Sequence, residues 1–295
     1  MKREQVAIGV DIGGTKIRAG IVGAGGVVYD VPRTIPTCAE LPGEEIVQRL
    51  IALIKETLSH AGEYEVLGIG VGCTGPLDLR KGMLLEVENL PTLNNYPLLQ
   101  VLEEALQMKV KMENDANALI LAEALWGAGK DADTVLGFTL GTGIGCALIH
   151  HGTVWQGKND CAGEIWTAPY RDGILEEYVS GNAVTRLYEQ YTGKHLSGTE
   201  IAALAIAGEE AAKQVWADFA HALAYALSWT VNMLDPQVVV IGGSIIKSAN
   251  LFWEQANTSF RRYVCRSVAD SVSLKPAALG DDAGFIGAAA LFFNE

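Results

Sequence analysis

The chain has 295 residues, of which 49% are hydrophobic and 19% charged. At roughly 150 residues per domain, this length predicts about two domains, and the apolar content excludes both a disordered chain and a small disulfide-held scaffold. Acidic residues outnumber basic ones by 35 to 22, and the net charge of −13 argues against nucleic acid and anionic membranes as partners.

Cysteine usage and hydropathy predict the cellular compartment of the protein. The five cysteines contain no C-x-x-C pair, which favours reduced thiols. The first apolar run is broken by Asp11, too early for a signal sequence, and the apolar stretch 284–293 is shorter than the roughly 20 residues of a membrane helix. We therefore expect a cytoplasmic protein.

Predicted strands and helices alternate along the chain. The pattern begins with strands at 6–11 and 16–22, a helix at 44–59, strands at 66–72 and 110–113, and a helix at 116–127. Strands at 134–140 and 144–150 then repeat the opening hairpin about 128 residues later. A long helix at 211–234, a strand at 238–241, a helix at 252–263, a strand at 272–275 and a helix at 283–293 complete an α/β pattern.

Three glycine turns follow predicted strands. The first is Asp11-Ile12-Gly13-Gly14-Thr15-Lys16, the second Leu140-Gly141-Thr142-Gly143, and the third Val240-Ile241-Gly242-Gly243. Backbone N–H groups in such turns bind phosphate oxygens, although a hairpin without ligand has the same pattern. Because a strand and not a helix follows the first turn, it is neither a P-loop nor a dinucleotide fingerprint.

An acidic segment lies where a predicted strand passes into a helix, at Glu113-Asn114-Asp115-Ala116-Asn117. Asp115 is placed either to cap the helix or to contact a ligand, because the carboxyl ends of sheet strands are where open α/β folds bind their ligands. The sequence leaves both interpretations open.

Together these motifs resemble the ROK family of sugar kinases, and the resemblance covers essentially the whole chain. Besides the segments above, it is carried by Ala162-Gly163-Glu164-Ile165. The resemblance implies an actin-like (ribonuclease H-like) ATPase fold with two α/β domains hinged around a cleft. It places a small sugar-side domain at 1–116 with a C-terminal helix at about 283–295, and a large nucleotide-binding domain at 117–282.

The resemblance also implies phosphoryl transfer from ATP, with Mg²⁺, to a hexose. Asp115 is then the general base that removes the proton of the sugar hydroxyl. The implied nucleotide-binding residues are Asp11, which also serves Mg²⁺, with Gly13, Gly14, Thr15, Lys16, Gly141, Thr142, Gly143, Gly242 and Gly243. The implied sugar-binding residues are Asn89, Asn114, Glu164, Thr167 and Glu176, with surface carboxylates as the alternative for the two glutamates.

One segment departs from the family pattern. Most members carry a histidine after Gly-Glu-Ile-Gly and then a cysteine cluster, which together bind structural zinc. Here Thr167 stands in the place of that histidine, and residues 168–175 contain no cysteine. We therefore predict that the protein binds no zinc and that Trp166, Pro169 and Tyr170 brace the loop by packing.

The resemblance favours a glucokinase that forms glucose 6-phosphate and works as a homodimer. Kinases for N-acetylmannosamine, allose, mannose or fructose stay open, because the missing histidine normally contacts the sugar. Polyphosphate is an alternative phosphoryl donor, since glycine turns bind either polyanion. Outside enzymes, the alternative is a sugar-sensing protein of the same fold, against which the intact Asp11 and Asp115 argue.

Overall fold

The structure is a computed structural model that describes residues 3–293. It divides into two compact units. The first unit contains Met1–Asp131, Ala147–Ala162 and Ala278–Glu295, and the second contains Ala132–Cys146 and Gly163–Ala277. The boundary expected between residues 116 and 117 differs from this division, because the helix that follows residue 114 packs within the first unit.

Strands and helices alternate as the sequence predicts. The strands are β1 Gln5–Ile12, β2 Lys16–Gly23, β3 Arg33–Pro36, β4 Glu65–Cys73, β5 Leu77–Asp78, β6 Met83–Leu84, β7 Val110–Asn114, β8 Thr134–Leu140, β9 Ile144–His150, β10 Thr153–Val154, β11 Pro169–Tyr170, β12 Gly173–Ile174, β13 Val238–Gly242 and β14 Ser273–Pro276. The α-helices are α1 Gly43–Ser59, α2 Leu98–Leu106, α3 Asp115–Trp126, α4 Gly181–Thr192, α5 Gly198–Ile206, α6 Glu210–Leu234, α7 Trp253–Tyr263, α8 Arg266–Ala269 and α9 Ala283–Ala290. Short 3₁₀ turns span Ala24–Gly26, Pro91–Leu93, Ile165–Thr167, Leu175–Glu177, Ser244–Leu251 and Gly280–Asp282.

The first unit is built on a five-stranded sheet in the order β3-β2-β1-β4-β7. The strands β1, β4 and β7 are parallel, with Ile12 opposite Cys73 and Cys73 opposite Asn114. Their carboxyl ends therefore meet at one edge of the sheet. The apolar face of α1, which includes Leu50 and Ile54, packs into a buried core with these strands.

Close packing of α9 in the first unit depends on glycines. A Cβ on Gly70 of β4 would lie 1.8 Å from the carbonyl oxygen of Ala288, and one on Gly287 would lie 1.7 Å from that of Ala118 in α3. Real Cβ atoms do not approach backbone so closely, so α9 contacts both β4 and α3 through bare backbone.

Gly287→Ala should lower the free energy of unfolding by about 3 kcal/mol or more, because the methyl group forces α3 and α9 apart. Gly198→Ala is the matched control, since a Cβ on this helical glycine of α5 has no neighbour within 4 Å. Urea unfolding of both variants measures the difference. Equal stability of Gly287→Ala and the wild type would contradict the packing described.

The second sheet has the strand order β10-β9-β8-β13-β14. The strands β8, β13 and β14 are parallel. The long helix α6 supplies much of the second unit's core, where Trp216 and Phe219 pack against Phe252 with ring centroids 5.9 and 5.1 Å away. These aromatic contacts stabilise the unit through burial of large apolar surfaces.

The C-terminal helix is shorter than expected. It was predicted to span about 283–295, whereas α9 ends at Ala290 and residues 291–293 form tight turns with hydrogen bonds such as Phe293 N–H to Ala290 O at 2.9 Å. Residues 294–295 lie outside the described part of the chain. The predicted strands 134–140 and 144–150 match β8 and β9 in their bounds.

No helix within residues 3–293 is long and apolar enough to cross a membrane. All five cysteines are free thiols, and Cys73 and Cys146 are buried. Burial raises the pKa of Cys146 to about 12, so this side chain behaves as a small apolar group.

Candidate active site

The first predicted phosphate turn is a tight hairpin loop at the end of β1. The N–H of Gly13 donates to the carbonyl oxygen of Lys16 at 3.0 Å, which closes the loop. A Cβ on Gly14 would lie 3.1 Å from the Cβ of Asn89. Neither glycine has a positive φ, so Gly14 favours the close approach to Asn89 and does not serve an unusual backbone conformation.

The hairpin is braced by Thr37, a residue that the sequence analysis missed. Its side chain is buried, its hydroxyl donates to the carbonyl oxygen of Gly13 at 2.6 Å, and its N–H donates to that of Thr15 at 2.9 Å. Thr15 and Lys16 themselves are exposed at the tip. Thr37 is 24 residues from Gly13 in sequence, and no local pattern links the two.

Thr37→Val should lower the free energy of unfolding by about 1–2 kcal/mol, because the carbonyl oxygen of Gly13 loses a buried hydrogen-bond donor of nearly unchanged volume. Thr34→Val, at an exposed position of β3, is the control and should change stability little. Urea unfolding measures both. A loss no larger than that of the control would show that the hydroxyl does not brace the turn.

Asp11 lies just before this turn, half-buried at the carboxyl end of β1. Burial raises its pKa to about 6, the nearby carboxylate of Asp115 adds to the rise, and Lys16 and Arg18 oppose it. A Cβ on Gly284, in the first turn of α9, would lie 2.7 Å from Oδ2 of Asp11. The first unit therefore holds Asp11 and Asp115 close enough for their charges to repel.

The predicted catalytic turn lies at the junction of β7 and α3. Asn114 is the N-cap of α3, and its Oδ1 accepts hydrogen bonds from the N–H groups of Ala116 at 2.9 Å and Asn117 at 3.2 Å. The interpretation of Asp115 as the cap is therefore wrong. Asp115 is the first helical residue, and its Oδ1 accepts from the same Ala116 N–H at 2.8 Å.

The buried carboxylate of Glu113 supports this turn through hydrogen bonds. Glu113 is only 3% exposed, and its Oε1 accepts from the N–H of Asn114 at 2.8 Å and from Nδ2 of Asn117 at 2.9 Å. Its Oε2 accepts from Nε2 of Gln156, which lies beyond β10. Burial raises the pKa of Glu113, whereas these three donors oppose the rise. Glu113 and Gln156 were not among the predicted site residues.

In the second unit, the second glycine turn packs on the start of α4. The N–H of Gly141 donates to the carbonyl oxygen of Gly143 at 3.0 Å, and the N–H of Gly181 donates to that of Gly141 at 2.7 Å. Thr142 is exposed at the tip of the turn. The start of α4 is fixed by Ser180, whose Oγ accepts from Ala183 N–H at 2.9 Å.

The third glycine turn lies beside the second. Gly243 has a φ of 88°, and a Cβ there would lie 2.4 Å from the carbonyl oxygen of Leu140, so both backbone angle and space require glycine. Gly242 ends β13 opposite Thr139 of β8. The second unit thus brings together the glycine segments at 141–143 and 242–243 that were predicted to bind nucleotide.

Glu176 belongs to the same neighbourhood. Its Oε2 accepts from the N–H of Ile144 at 3.0 Å, and a Cβ on Gly143 would lie 2.2 Å from that oxygen. The structure therefore places this predicted sugar ligand directly against the second glycine turn.

The other predicted sugar-binding residues of the second unit are on its surface. Glu164 precedes the 3₁₀ turn Ile165–Thr167, Thr167 ends it, and both are exposed. Nε1 of Trp166 donates to Oε2 of Glu164 at 2.5 Å. In the first unit Asn89 is also exposed, next to Gly14. Exposure leaves these polar groups accessible to a ligand.

The loop that was expected to lack zinc is held by aromatic and charged side chains. Arg171, at the tip of the β11–β12 hairpin, lies over the rings of Tyr170 at 5.6 Å and Tyr178 at 5.4 Å. Its guanidinium also pairs with Asp218 of α6 at 3.6 Å, and Asp172 accepts from the hydroxyl of Tyr178. Packing by Tyr170 was expected, whereas the role of Arg171 was not. Among residues 3–293 no cluster of three or more His, Cys, Asp or Glu side chains forms a metal site.

Comparison with known proteins agrees with the motifs. The model of the ROK family matches residues 7–295. The glucokinase of Halalkalibacterium halodurans is 30% identical over 95% of this chain and 92% of its own, and the N-acetyl-D-glucosamine kinase of Vibrio atlanticus is 32% identical over 96% and 98%. A ROK family glucokinase from Streptomyces griseus, solved in complex with glucose and AMPPNP, is 27% identical, with a TM-score of 0.83 over 97% of this chain and 98% of that one.

The chain therefore belongs to the ROK family, and it is similar to the family's sugar kinases. The predicted resemblance and the predicted actin-like α/β fold are both confirmed. Family membership and fold do not fix the substrate, which rests on the site itself.

Proposed function

We propose that the protein is an ATP-dependent hexose kinase and that glucose is its substrate. The observation that carries the proposal is the pair of neighbouring carboxylates, Asp11 and Asp115, at the carboxyl edge of the first sheet. Burying two like charges side by side destabilises a protein, so such a pair is typical of a site that uses them.

Asp115 is the proposed general base. Its position at the start of α3 is fixed by its own backbone hydrogen bond and by the cap that Asn114 provides. A carboxylate on the rigid end of a helix is preorganised to accept the proton of a sugar hydroxyl as that hydroxyl attacks the γ-phosphoryl group. Asn114 and Asn89 are proposed to orient the sugar through hydrogen bonds.

The carboxylates also fit a magnesium ion. Hard oxygen ligands are those that Mg²⁺ prefers. Burial and the charge of Asp115 raise the pKa of Asp11 against the opposing effect of Lys16 and Arg18, so a bound cation would stabilise its charged form. Asp11 would hold the ion, which neutralises charge on the ATP phosphates when bound. Thr15 and Lys16, exposed at the tip of the first turn, are placed to donate to phosphate oxygens.

The second unit is proposed to bind ATP through its glycine turns. Gly141, Thr142, Gly143, Gly242 and Gly243 present bare backbone, which permits the close approach that phosphate and nucleoside groups need. The relative from Streptomyces griseus was solved with an ATP analogue, which supports this assignment. Glu164, Thr167 and Glu176 are the proposed sugar ligands of this unit.

We choose glucose on the resemblance to glucokinases, and the relatives make N-acetyl-D-glucosamine the second candidate. Glucokinases and N-acetyl-D-glucosamine kinases are both about equally similar to this chain, at 30% and 32% identity. A panel assay of ADP release with Mg-ATP separates them, with glucose, mannose, fructose, allose, N-acetylglucosamine and N-acetylmannosamine as acceptors. We expect selective turnover of glucose. Preference for an acetamido sugar would reassign the substrate, and background rates with all six sugars would contradict the kinase.

Three further expectations belong to the same proposal. Polyphosphate in place of ATP tests the alternative donor, and we expect ATP to be preferred. Light scattering tests the homodimer. Elemental analysis of chelator-free protein tests the absence of zinc, which a stoichiometric metal signal would overturn.

A further inference from the structure

The catalytic turn receives a hydrogen bond from a distant segment of the first unit. Nε2 of Gln156, in the loop after β10, donates to Oε2 of Glu113, 43 residues earlier in sequence. The other oxygen of Glu113 holds the N–H of Asn114 and the side chain of Asn117. Gln156 therefore contacts the carboxylate that holds Asn114 and Asn117, on either side of Asp115.

We propose that Gln156 is a positioning residue that sets the activity of Asp115 through Glu113. The inference rests on the proposed kinase function and deepens it. The hydrogen bond of Gln156 goes to Glu113, so its role acts through that carboxylate.

The bonding of Glu113 shows why a donor is needed at this place. Its carboxylate is buried, and an ionised carboxylate is an acceptor only, so it is stable here only while donors surround it. The Asn114 N–H and the Asn117 amide occupy Oε1, and the Gln156 amide serves Oε2. Removal of Gln156 would leave Oε2 without this donor, which favours the protonated form of Glu113.

The groups around Glu113 add to that tendency. Asp160 repels its charge, Cys73 is buried nearby, and Asp115 follows in the chain. A neutral Glu113 holds the Asn114 N–H and the Asn117 amide more weakly, because hydrogen bonds to charged acceptors are the stronger ones. The turn would then hold Asp115 less firmly.

The amide of Gln156 is satisfied at only one of its two polar atoms. Its Oε1 is buried and has no hydrogen-bond partner among the described residues. A buried unpaired carbonyl oxygen destabilises a fold, so this glutamine is not explained by stability alone. Its donor to Glu113 supplies the reason for its presence.

Gln156→Met keeps the length of the side chain and removes the donor. We expect kcat to fall about tenfold, since roughly 1.4 kcal/mol of positioning is a factor of ten, and KM for ATP to stay within about twofold. We also expect the acid limb of the kcat–pH profile to move to higher pH, because Glu113 protonates more easily. Gln100→Met is the matched control, since Gln100 donates to Glu104 at 2.8 Å on the exposed face of α2.

Exchange of the amide and the carboxylate between residues 156 and 113 separates positioning from packing. Gln156→Glu alone places two carboxylates together and should lose more activity than Gln156→Met. Combined with Glu113→Gln it restores an amide–carboxylate hydrogen bond of opposite direction, and we expect partial recovery of kcat. Circular dichroism and thermal unfolding establish that each variant is folded.

Each outcome has a distinct meaning. If wild-type protein phosphorylates a sugar and Gln156→Met matches Gln100→Met, the positioning role is overturned while the kinase stands. Lost kcat with an unmoved acid limb and no recovery in the double variant would show a structural role and likewise overturn it. Absence of turnover in the wild type contradicts the proposed function itself.

Discussion

Asp115→Asn is expected to lower kcat by about 10² to 10⁴, because the variant removes the group proposed to accept the proton of the sugar hydroxyl. Asparagine matches aspartate in shape and retains an Oδ1 that can accept from the N–H of Ala116, as Asp115 does at 2.8 Å. The N-cap of α3 is supplied by Asn114 and is not touched. The start of the helix should therefore stay in place.

Binding and turnover should consequently separate in this variant. Calorimetry should show a sugar affinity within a fewfold of the wild type, while coupled assays show the loss of kcat. Asp131→Asn, at an exposed aspartate after α3, is the control and should retain full activity. Near-normal turnover by Asp115→Asn would remove this carboxylate from the mechanism.

Asp11→Asn is expected to abolish most activity and at the same time to stabilise the metal-free and nucleotide-free protein. The carboxylate is partly buried beside Asp115, and its charge is unfavourable in the folded state. Its pKa of about 6, against an ordinary value of 3.8, corresponds to about 3 kcal/mol at most at neutral pH. Asparagine has no charge, so we expect a gain of about 1–3 kcal/mol at pH 7.5.

The dependence on pH gives this prediction its sign. The folded state keeps the proton of Asp11 between pH values of about 4 and 6, where the unfolded chain has lost it. The contribution of Asp11 to the free energy of unfolding is therefore fully present below about pH 4 and is lost as the pH rises through about 6. Urea unfolding in the presence of a chelator should show a more stable variant at pH 7.5 and no difference at pH 4. Equal stability at both pH values would show that the folded protein does not strain this carboxylate.

Much of the fold follows from patterns in the sequence. Apolar runs bounded by glycine predict β1, β4 and β8 to within about a residue or two, and apolar spacing predicts α1 and α6 equally well. These elements are long, and their burial is strongly periodic or complete. The repeated hairpin also predicts that two sheets share one plan, as the two five-stranded sheets do.

Shorter elements carry weaker signals and were not predicted. The helix α2 has nine residues and follows a proline, and the edge strand β3 has four residues with an alternating half-exposed pattern. The helix α4 buries only Ala183, Val184, Leu187 and Tyr188. Tertiary packing against longer neighbours stabilises such segments, and that information is not local.

In the candidate site, too, local motifs predict some residues, whereas contacts between distant segments could not be predicted. Motifs identify Asp11, Asn114 and Asp115, since each lies where a strand ends. The brace at Thr37, the donor at Gln156 and the guanidinium of Arg171 act on residues that the fold, and not the sequence, brings near. The position of Glu176 against Gly143 likewise follows from packing of the second unit.

Formation of a sugar phosphate is the most direct test of the account. Wild-type protein incubated with glucose and Mg-ATP should yield glucose 6-phosphate and ADP in equal amounts, detected by phosphorus NMR, and Asp115→Asn should yield neither above background. ADP without any phosphorylated sugar, from glucose or from the other five sugars of the panel, would contradict the transfer that the paired carboxylates are proposed to perform.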